Sequence, residues 1–189
     1  MSEELVSAKA AELQLIQQAQ QGDRQAFAKL ADAYWERLYR WLYHLTHHRQ
    51  AAEDLVQETL LKSFAALSSF RPGSNFKAWL FRIAYNGFVN QWRALDRVRQ
   101  PFPQQLADRE EGPLDQVLTR EALQLLTRAV GRLPDDYRAA FLLRAEEGLS
   151  FREIGGVVGV TEETARWRVF KARQKLMTVL APQLDSERV

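Results

Sequence analysis

The sequence contains no cysteine, which excludes disulfides, cysteine-ligated zinc, iron–sulfur clusters and thiol nucleophiles, and fits a cytoplasmic protein. Glycine and proline are scarce, at nine and six of 189 residues, and this scarcity favours long helices. No apolar run is long enough to cross a bilayer, so we expect no membrane insertion. The first ten residues, MSEELVSAKA, lack the apolar core of a secretory signal.

What the chain does contain is apolar residues at helical spacing through most of its length. No alternating run bounded by turn residues appears, so we expect no strands. The predicted fold class is all-α, with two small helical domains joined by a flexible linker. The predicted helices lie at about 12–21, 24–46, 51–68 and 76–98, and then at about 115–131, 135–147, 151–158 and 162–180. Asp23 is the predicted N-terminal cap of the second helix.

A stretch rich in proline, glutamine and acidic residues interrupts the helical pattern. QPFPQQLADREEGP (100–113) holds three of the six prolines, and its acids are Asp108, Glu110 and Glu111. This composition is typical of an extended linker at a domain boundary. The predicted divisions are a first domain at 12–98, a linker at 99–114 and a second domain at 115–182.

The positive charge is concentrated in two segments. The net charge is only +2, but residues 71–100 carry six basic side chains and one acidic one. Residues 164–175 carry five basic side chains and no acidic one. Two basic stripes on an otherwise acidic chain indicate two contacts with a polyanion, and we expect nucleic acid. The alternative is that both stripes are solvated helix faces.

The second basic segment is preceded by the cap and turn residues of a helix-turn-helix. Ser150 and Glu153 have the spacing of a capping box, which predicts a helix start. Gly159 stands where the chain must turn, because a left-handed conformation is unstrained in glycine. Thr161 then caps a second helix, which in this motif enters the major groove of DNA.

Helical angles divide the second of these helices into two faces. Ala165, Val169, Ala172 and Leu176 share the face that we expect to pack inward. The opposite face carries two aromatic residues beside cations, which suits contact with base edges and phosphates. The alternative is that the aromatic rings pack under a neighbouring element and the charges are merely solvated. The residues on and beside this outward face are Arg166, Trp167, Phe170, Lys171, Arg173 and Gln174.

The helix at 76–98 is unusually aromatic, and most aromatic residues at helical spacing belong to a core. Rings beside cations near a loop also suit the stacking of unpaired bases, which contributes about 1–3 kcal/mol per base. The aromatic residues that we assign to the core are Phe81, Tyr85 and Phe88. Those nearest the loop, which remain candidate base contacts, are Phe70, Phe76 and Trp79. The polar stripe of this helix comprises Arg82, Asn86, Asn90, Arg93 and Arg97.

Two segments resemble the signature regions of the sigma-70 family, specifically its extracytoplasmic-function group (group 4). The first, AAEDLVQETLLKSFAALSSFRPGSNFKAWLFRIAYN (51–86), is similar to region 2. The second, LPDDYRAAFLLRAEEGLSFREIGGVVGVTEETARWRVFKAR (133–173), is similar to region 4. The resemblance implies a subunit that directs core RNA polymerase to specific promoters, binds its clamp helices and flap, and needs no cofactor, metal, catalytic residue or small-molecule substrate. It also implies a cytoplasmic protein that an anti-sigma factor controls and can hold at the membrane.

The resemblance also implies roles for individual residues. The face that meets the clamp helices of the largest polymerase subunit is Asp54, Gln57, Glu58 and Leu61. The residues at the −10 element are Phe70, Arg71, Ser74, Asn75, Phe76, Trp79, Arg82, Asn86 and Arg93. The residues at the −35 element are Thr164, Arg166, Trp167, Arg168, Phe170, Lys171 and Arg173.

This chain departs from the family pattern at two places. Trp167 replaces a small residue or a lysine that is usual in the recognition helix, so we expect a different −35 preference. Gly155 and Gly156 replace a pair that usually contains alanine, and each glycine destabilises a helix by about 0.5–1 kcal/mol. Either this domain is less stable alone, or its two helices pack more closely.

Two other functions have some support in the residues. His44 and His48 have the i, i+4 spacing of metal ligands, but no third ligand or HExxH pattern accompanies them, so we expect exposed histidines at a helix end. The second alternative is a helix-turn-helix repressor whose first domain binds a ligand or dimerises. Binding to core polymerase distinguishes a sigma factor from such a repressor.

Overall fold

The computed structural model describes residues 2–71, 73–98 and 120–186, without the side chains nearest the gaps and termini. Within these ranges the chain is all-α, as predicted, and has no strand. None of the helices in these ranges is both long enough and apolar enough to cross a membrane. The helices are α1 (Ser2–Gln20), α2 (Arg24–Thr46), α3 (Arg49–Ala66), α4 (Phe76–Val98), α5 (Arg120–Gly131), α6 (Asp135–Ala145), α7 (Phe151–Val158) and α8 (Glu162–Ser186), with a short 3-10 helix at Leu67–Ser69.

The chain divides into two compact units, Met1–Phe102 and Pro103–Val189. The predicted linker at 99–114 and the predicted start of the fifth helix at 115–119 lie outside the described residues. The main difference from prediction is α1, which begins at Ser2 rather than near residue 12. The earlier start follows from composition, since residues 2–11 are mostly good helix formers and contain neither glycine nor proline.

The first unit packs α1, α3 and α4 around α2. The N-terminus of α2 is capped as predicted, because the Asp23 carboxylate accepts hydrogen bonds from the backbone N–H groups of Gln25 and Ala26. One stripe of α2 is buried along the whole helix and contacts α3 and α4. The largest of its fully buried side chains are Leu38, Trp41, Leu42, Leu45, Leu55, Leu80 and Phe81.

The second unit packs α5, α6 and α7 against α8. Arg138 of α6 is 4% exposed and donates to the carbonyl oxygens of Val130, Gly131 and Leu133, where α5 ends. It also forms an ion pair with Asp135 at 3.1 Å. A single guanidinium therefore satisfies three carbonyls at a helix C-terminus, and so fixes α5 to α6.

Candidate nucleic-acid interface

The helix-turn-helix has the helix caps and the turn that its sequence predicts. The backbone N–H of Ser150 donates to Glu153 Oε2 at 2.7 Å, and the N–H of Glu153 donates to Ser150 Oγ at 3.3 Å, which completes the capping box. Gly159 ends α7 in the left-handed conformation with φ +72°. Thr161 Oγ1 then accepts the N–H of Thr164 at 3.2 Å and caps α8.

The two neighbouring glycines of α7 have different surroundings. A Cβ on Gly155 would lie 2.7 Å from the carbonyl oxygen of Val160, in the backbone that connects α7 to α8. A Cβ on Gly156 would meet nothing within 4 Å. The close approach of α7 and the turn thus explains Gly155, and nothing in the described structure requires Gly156 to be a glycine.

One face of α8 is buried and the opposite face is exposed. Ala165, Val169, Ala172 and Leu176 are at most 5% exposed, which confirms the predicted inward stripe. On the outward face, Phe170 is 60% exposed.

Trp167 is partly exposed on the outward face and partly packed against a neighbouring helix, so it combines the two alternatives that its position in the sequence allows. Its side chain is 49% exposed, yet its ring makes an edge contact with Tyr137 of α6, with ring centroids 5.5 Å apart. One part of the indole is therefore supported by the domain, and the other part faces solvent. A supported, half-exposed ring is well suited to contact a ligand because little rotamer freedom remains to be lost on binding.

The cations of α8 fall into two groups. Arg166, Lys171 and Arg173 reach the surface, and Arg166 is oriented by Glu162 at 3.0 Å and by the ring of Phe151 at 5.3 Å. Arg168 differs, since its side chain is 15% exposed and lies 2.8 Å from Asp136. In this structure the Arg168 guanidinium is therefore occupied in holding α8 to α6, which favours a supporting role over the predicted DNA contact. Thr164, the last predicted contact, is half-buried at the start of α8.

The aromatic residues around the turn before α4 are mostly buried. Phe70 and Phe76 are 4% and 3% exposed, and their rings meet edge to face at 5.4 Å. The Phe76 ring also meets Tyr34 of α2 at 5.6 Å. Neither ring presents a free face in this structure, which favours a place in the core over the predicted base contact. Trp79 is half-buried and packs on both, at 5.2 Å and 5.5 Å, so it is the aromatic residue here that reaches the surface.

Polar residues of the same region lie at the surface. Arg71, Ser74 and Asn75 are exposed, and Asn75 Oδ1 caps α4 by accepting the N–H of Ala78 at 3.2 Å. Farther along α4, Arg82 and Asn86 are exposed on one side of the helix. The side chain of Arg93 lies outside the described residues. The assignment of Phe81 and Phe88 to the core is confirmed, since they are 0% and 5% exposed. The third residue assigned to the core, Tyr85, is half-buried.

The exposed face of α3 brings together the four residues predicted to meet the polymerase. Asp54, Gln57 and Glu58 are exposed, and Leu61 is 71% exposed. Gln50 Nε2 donates to Asp54 Oδ1 at 2.9 Å, and Lys62 pairs with Glu58 at 2.5 Å. An exposed leucine beside two carboxylates is an arrangement that favours a protein partner with both apolar and cationic groups.

The histidines serve the helix ends. His47 ends α2 with φ +51°, and His48 Nδ1 accepts the N–H of Ala51 at 3.2 Å, which caps α3. Among the described residues no group of three histidine, aspartate or glutamate side chains is arranged to hold a metal ion.

Sequence analysis missed two residues, Arg138 and Gln20, whose hydrogen-bond partners lie on other elements. Gln20 donates from α1 to the carbonyls of the 3-10 turn.

Comparison with known proteins agrees with this geometry. The family Sigma-70 region 2 matches residues 30–98, and the family Sigma-70, region 4 matches residues 123–176. The RNA polymerase sigma-H factor of Pseudomonas aeruginosa is 32% identical over 182 residues, covering 90% of this chain and 94% of that protein. The ECF RNA polymerase sigma factor SigW of Bacillus subtilis is 29% identical over 178 residues, covering 85% of this chain and 92% of that protein.

Two solved structures are similar along most of the chain. One is the sigma factor RpoE in complex with the anti-sigma factor NepR from Bartonella quintana, with 32% identity, a TM-score of 0.67 and coverage of 82% of this chain and 96% of that one. The other is CnrH in complex with the cytosolic domain of CnrY, with 27% identity, a TM-score of 0.65 and coverage of 91% and 98%. With both regions matched in order and relatives aligned over nearly its whole length, the chain belongs to the sigma-70 family of RNA polymerase sigma factors, in its extracytoplasmic-function group.

Proposed function

We propose that the chain acts by binding alone and performs no catalysis. It binds core RNA polymerase through α3, duplex DNA at the −35 element through α8, and unpaired −10 bases through the turn before α4. The polymerase carries out nucleotidyl transfer. The observation that carries this proposal is the exposed aromatic pair of α8, Trp167 and Phe170, set among cations on the face opposite its buried stripe.

At the −35 element, Phe170 and Trp167 supply apolar contact with base edges and thymine methyl groups. Arg166 is held by Glu162 and Phe151, so its guanidinium reaches DNA with little loss of side-chain freedom. Lys171 and Arg173 contact phosphates, which fixes the register of α8 and makes the affinity depend on salt. Arg168 supports these contacts through Asp136 and takes no direct part.

At the −10 element, the exposed residues form a polar and cationic edge at the turn that leads to Trp79. Arg71, Ser74 and Asn75 offer a cation and hydrogen-bonding groups in this turn, which suits a base turned out of the duplex. Arg82 and Asn86 extend the edge along α4 toward the phosphates. Turning a base out of the duplex costs a few kcal/mol of unstacking free energy. Stacking of the captured base on an aromatic side chain recovers about 1–3 kcal/mol per base.

The core polymerase binds the face of α3 formed by Asp54, Gln57, Glu58 and Leu61. Burial of the Leu61 side chain on binding would contribute about 1.5–2 kcal/mol, and the two carboxylates add pairing with cations and select the orientation. We also propose that an anti-sigma factor regulates the chain in the cytoplasm. This part rests on the relatives RpoE and CnrH, whose structures contain NepR and CnrY.

The experiment that tests the proposal separates a sigma factor from a repressor. The purified chain, core polymerase and their mixture are each footprinted on DNA fragments from the source organism. We expect protection at upstream elements only in the mixture, because neither DNA contact of the isolated chain is extensive. A footprint by the chain alone that core polymerase leaves unchanged would favour the repressor.

A further inference from the structure

The side chain of Gln20, the last residue of α1, holds the corner that precedes α4. Its Nε2 donates to the carbonyl oxygen of Leu67 at 2.9 Å and to that of Phe70 at 2.7 Å. These partners lie 47 and 50 residues farther along the chain. Both donor hydrogens of the amide are thereby used, so one nitrogen ties α1 to both ends of the 3-10 turn.

The corner that Gln20 holds carries the loop. The N–H of Phe70 closes the turn on the Leu67 carbonyl at 3.0 Å, and the Phe70 ring forms a buried cluster with Phe76 and Trp79. The next residue, Arg71, is exposed, and its carbonyl accepts the N–H of Ser74 at 3.1 Å. A shift of the Phe70 backbone would therefore move the aromatic cluster and the exposed loop residues together.

A second contact from α1 supports the same cluster. The Tyr34 hydroxyl donates to Glu12 Oε1 at 2.5 Å, and the Tyr34 ring meets the edge of Phe76 at 5.6 Å. Both α1 residues that make these contacts precede residue 30, where the region 2 match begins. Support for the loop thus comes from a helix outside the matched region.

We propose that Gln20 is a positioning residue that sets the affinity of the loop before α4 for unpaired DNA, although Gln20 itself does not touch the DNA. The inference rests on the proposed function of that loop. Its physical basis is preorganisation: if the loop had to be ordered at the moment of binding, the entropy lost would reduce the affinity for a captured base. Two fixed carbonyls at the start of the loop remove that requirement.

The test compares Gln20→Leu with Gln17→Leu. Leucine lacks the amide donors and has similar bulk, and Gln17 is an exposed residue of the same helix, which makes its variant a matched control. The probe is a fluorescent single-stranded oligonucleotide that carries the −10 sequence mapped with the wild-type holoenzyme. Two dissociation constants are measured for each protein, one for core polymerase and one, as holoenzyme, for this oligonucleotide.

For Gln20→Leu we expect affinity for the oligonucleotide to fall about tenfold and affinity for core polymerase to stay within about twofold of wild type. Gln17→Leu should change neither constant. Wild-type affinity of Gln20→Leu for the oligonucleotide would overturn the inference, and so would an equal loss of both affinities, which indicates a merely structural role.

Two further observations keep the test decisive. If circular dichroism shows that Gln20→Leu is unfolded, Gln20→Met, which also lacks donors but has a more adaptable side chain, takes its place with the same expected values. A wild-type holoenzyme that starts transcription at no promoter would contradict the proposed function itself. That result is distinct from a Gln20→Leu holoenzyme that binds the oligonucleotide as tightly as an active wild-type holoenzyme does, which overturns only the inference about Gln20.

Discussion

Arg168 of α8 pairs with Asp136 of α6, with 2.8 Å between Nη2 and Oδ2. Its side chain is 15% exposed, whereas its neighbour Arg166 is 60% exposed. Two arginines that the family resemblance assigns alike to the −35 element therefore have different surroundings. Arg168 holds α8 against α6, and Arg166 lies at the surface, where we propose the contact with DNA.

We therefore expect Arg168→Ala to change the stability of the second unit, and Lys171→Ala, at a surface cation of the same helix, to change DNA binding. Loss of Lys171 should weaken holoenzyme binding to the −35 duplex and reduce the slope of log K against log salt by about 0.9, because one phosphate contact is lost. Loss of Arg168 should destabilise the second unit by about 1 kcal/mol, a modest value because Asp136 is more than half exposed. Salt titration of DNA binding and thermal unfolding measure the two quantities.

The same pair of variants contains its own control. Lys171→Ala should leave the unfolding temperature unchanged, and Arg168→Ala should leave the salt slope unchanged. A reduced salt slope in Arg168→Ala with normal stability would contradict the role that we assign to Arg168.

The two glycines of α7 should respond to alanine in opposite directions. Gly155→Ala places a Cβ 2.7 Å from the Val160 carbonyl oxygen, which forces the turn to move and should destabilise the second unit by about 1–3 kcal/mol. Gly156→Ala meets open space within a helix and should stabilise it by about 0.5–1 kcal/mol. Urea unfolding of both variants is the measurement, and equal effects of the two substitutions would show that α7 does not approach the turn as described.

Arg138 should be the most sensitive cation of the second unit. Burial lowers the pKa of Arg138 from its ordinary value, and the nearby Asp135 carboxylate opposes that shift. Arg138→Leu removes the side-chain donor of three carbonyls at the end of α5, of which, within the described residues, only that of Val130 also accepts a backbone N–H, from Leu133. We expect a loss of about 2–3 kcal/mol in the free energy of unfolding.

Two substitutions serve as comparisons for this prediction. Arg138→Lys keeps the charge but cannot match the planar fork of donors, so it should also destabilise, by a smaller amount. Arg132→Leu changes an exposed arginine near the same turn and should be nearly neutral. A neutral Arg138→Leu variant would show that these hydrogen bonds do not hold α5 to α6.

The face of α3 is tested by removing its two carboxylates. The double substitution Asp54→Ala with Glu58→Ala should lower affinity for core polymerase by about tenfold and leave the fold intact, because both side chains are exposed. The matched control is Asp32→Ala with Glu36→Ala, an exposed acidic pair at the same i, i+4 spacing on α2. Fluorescence anisotropy of labelled protein with core polymerase gives the affinities, and equal values for the two double variants would remove α3 from the interface.

Local sequence signals were sufficient for the helix-turn-helix. The capping box of Ser150, the turn at Gly159 and the inward stripe of α8 all depend on residues close together in the chain, and the structure confirms each of them. The α2 cap at Asp23 is local in the same sense and is also confirmed.

The features that the sequence did not reveal depend on partners that are distant in the chain. Phe70 and Phe76 lie beside a loop, and only their packing with Tyr34 of another helix shows that they are buried. Arg168 differs from Arg166 because of Asp136, which is on α6. In the sequence Gln20 does not differ from the neighbouring glutamines, and only its hydrogen bonds to the carbonyls of the 3-10 turn distinguish it. Such tertiary partners leave no periodic signal.

The measurement that tests the central claim most directly is transcription by core RNA polymerase on fragmented DNA of the source organism, with and without this protein, followed by mapping of the new 5′ ends. We predict discrete starts that appear only with the protein and that share two upstream elements, at about −35 and −10. Folded, inhibitor-free protein that binds core polymerase or DNA but produces no new start would contradict the account.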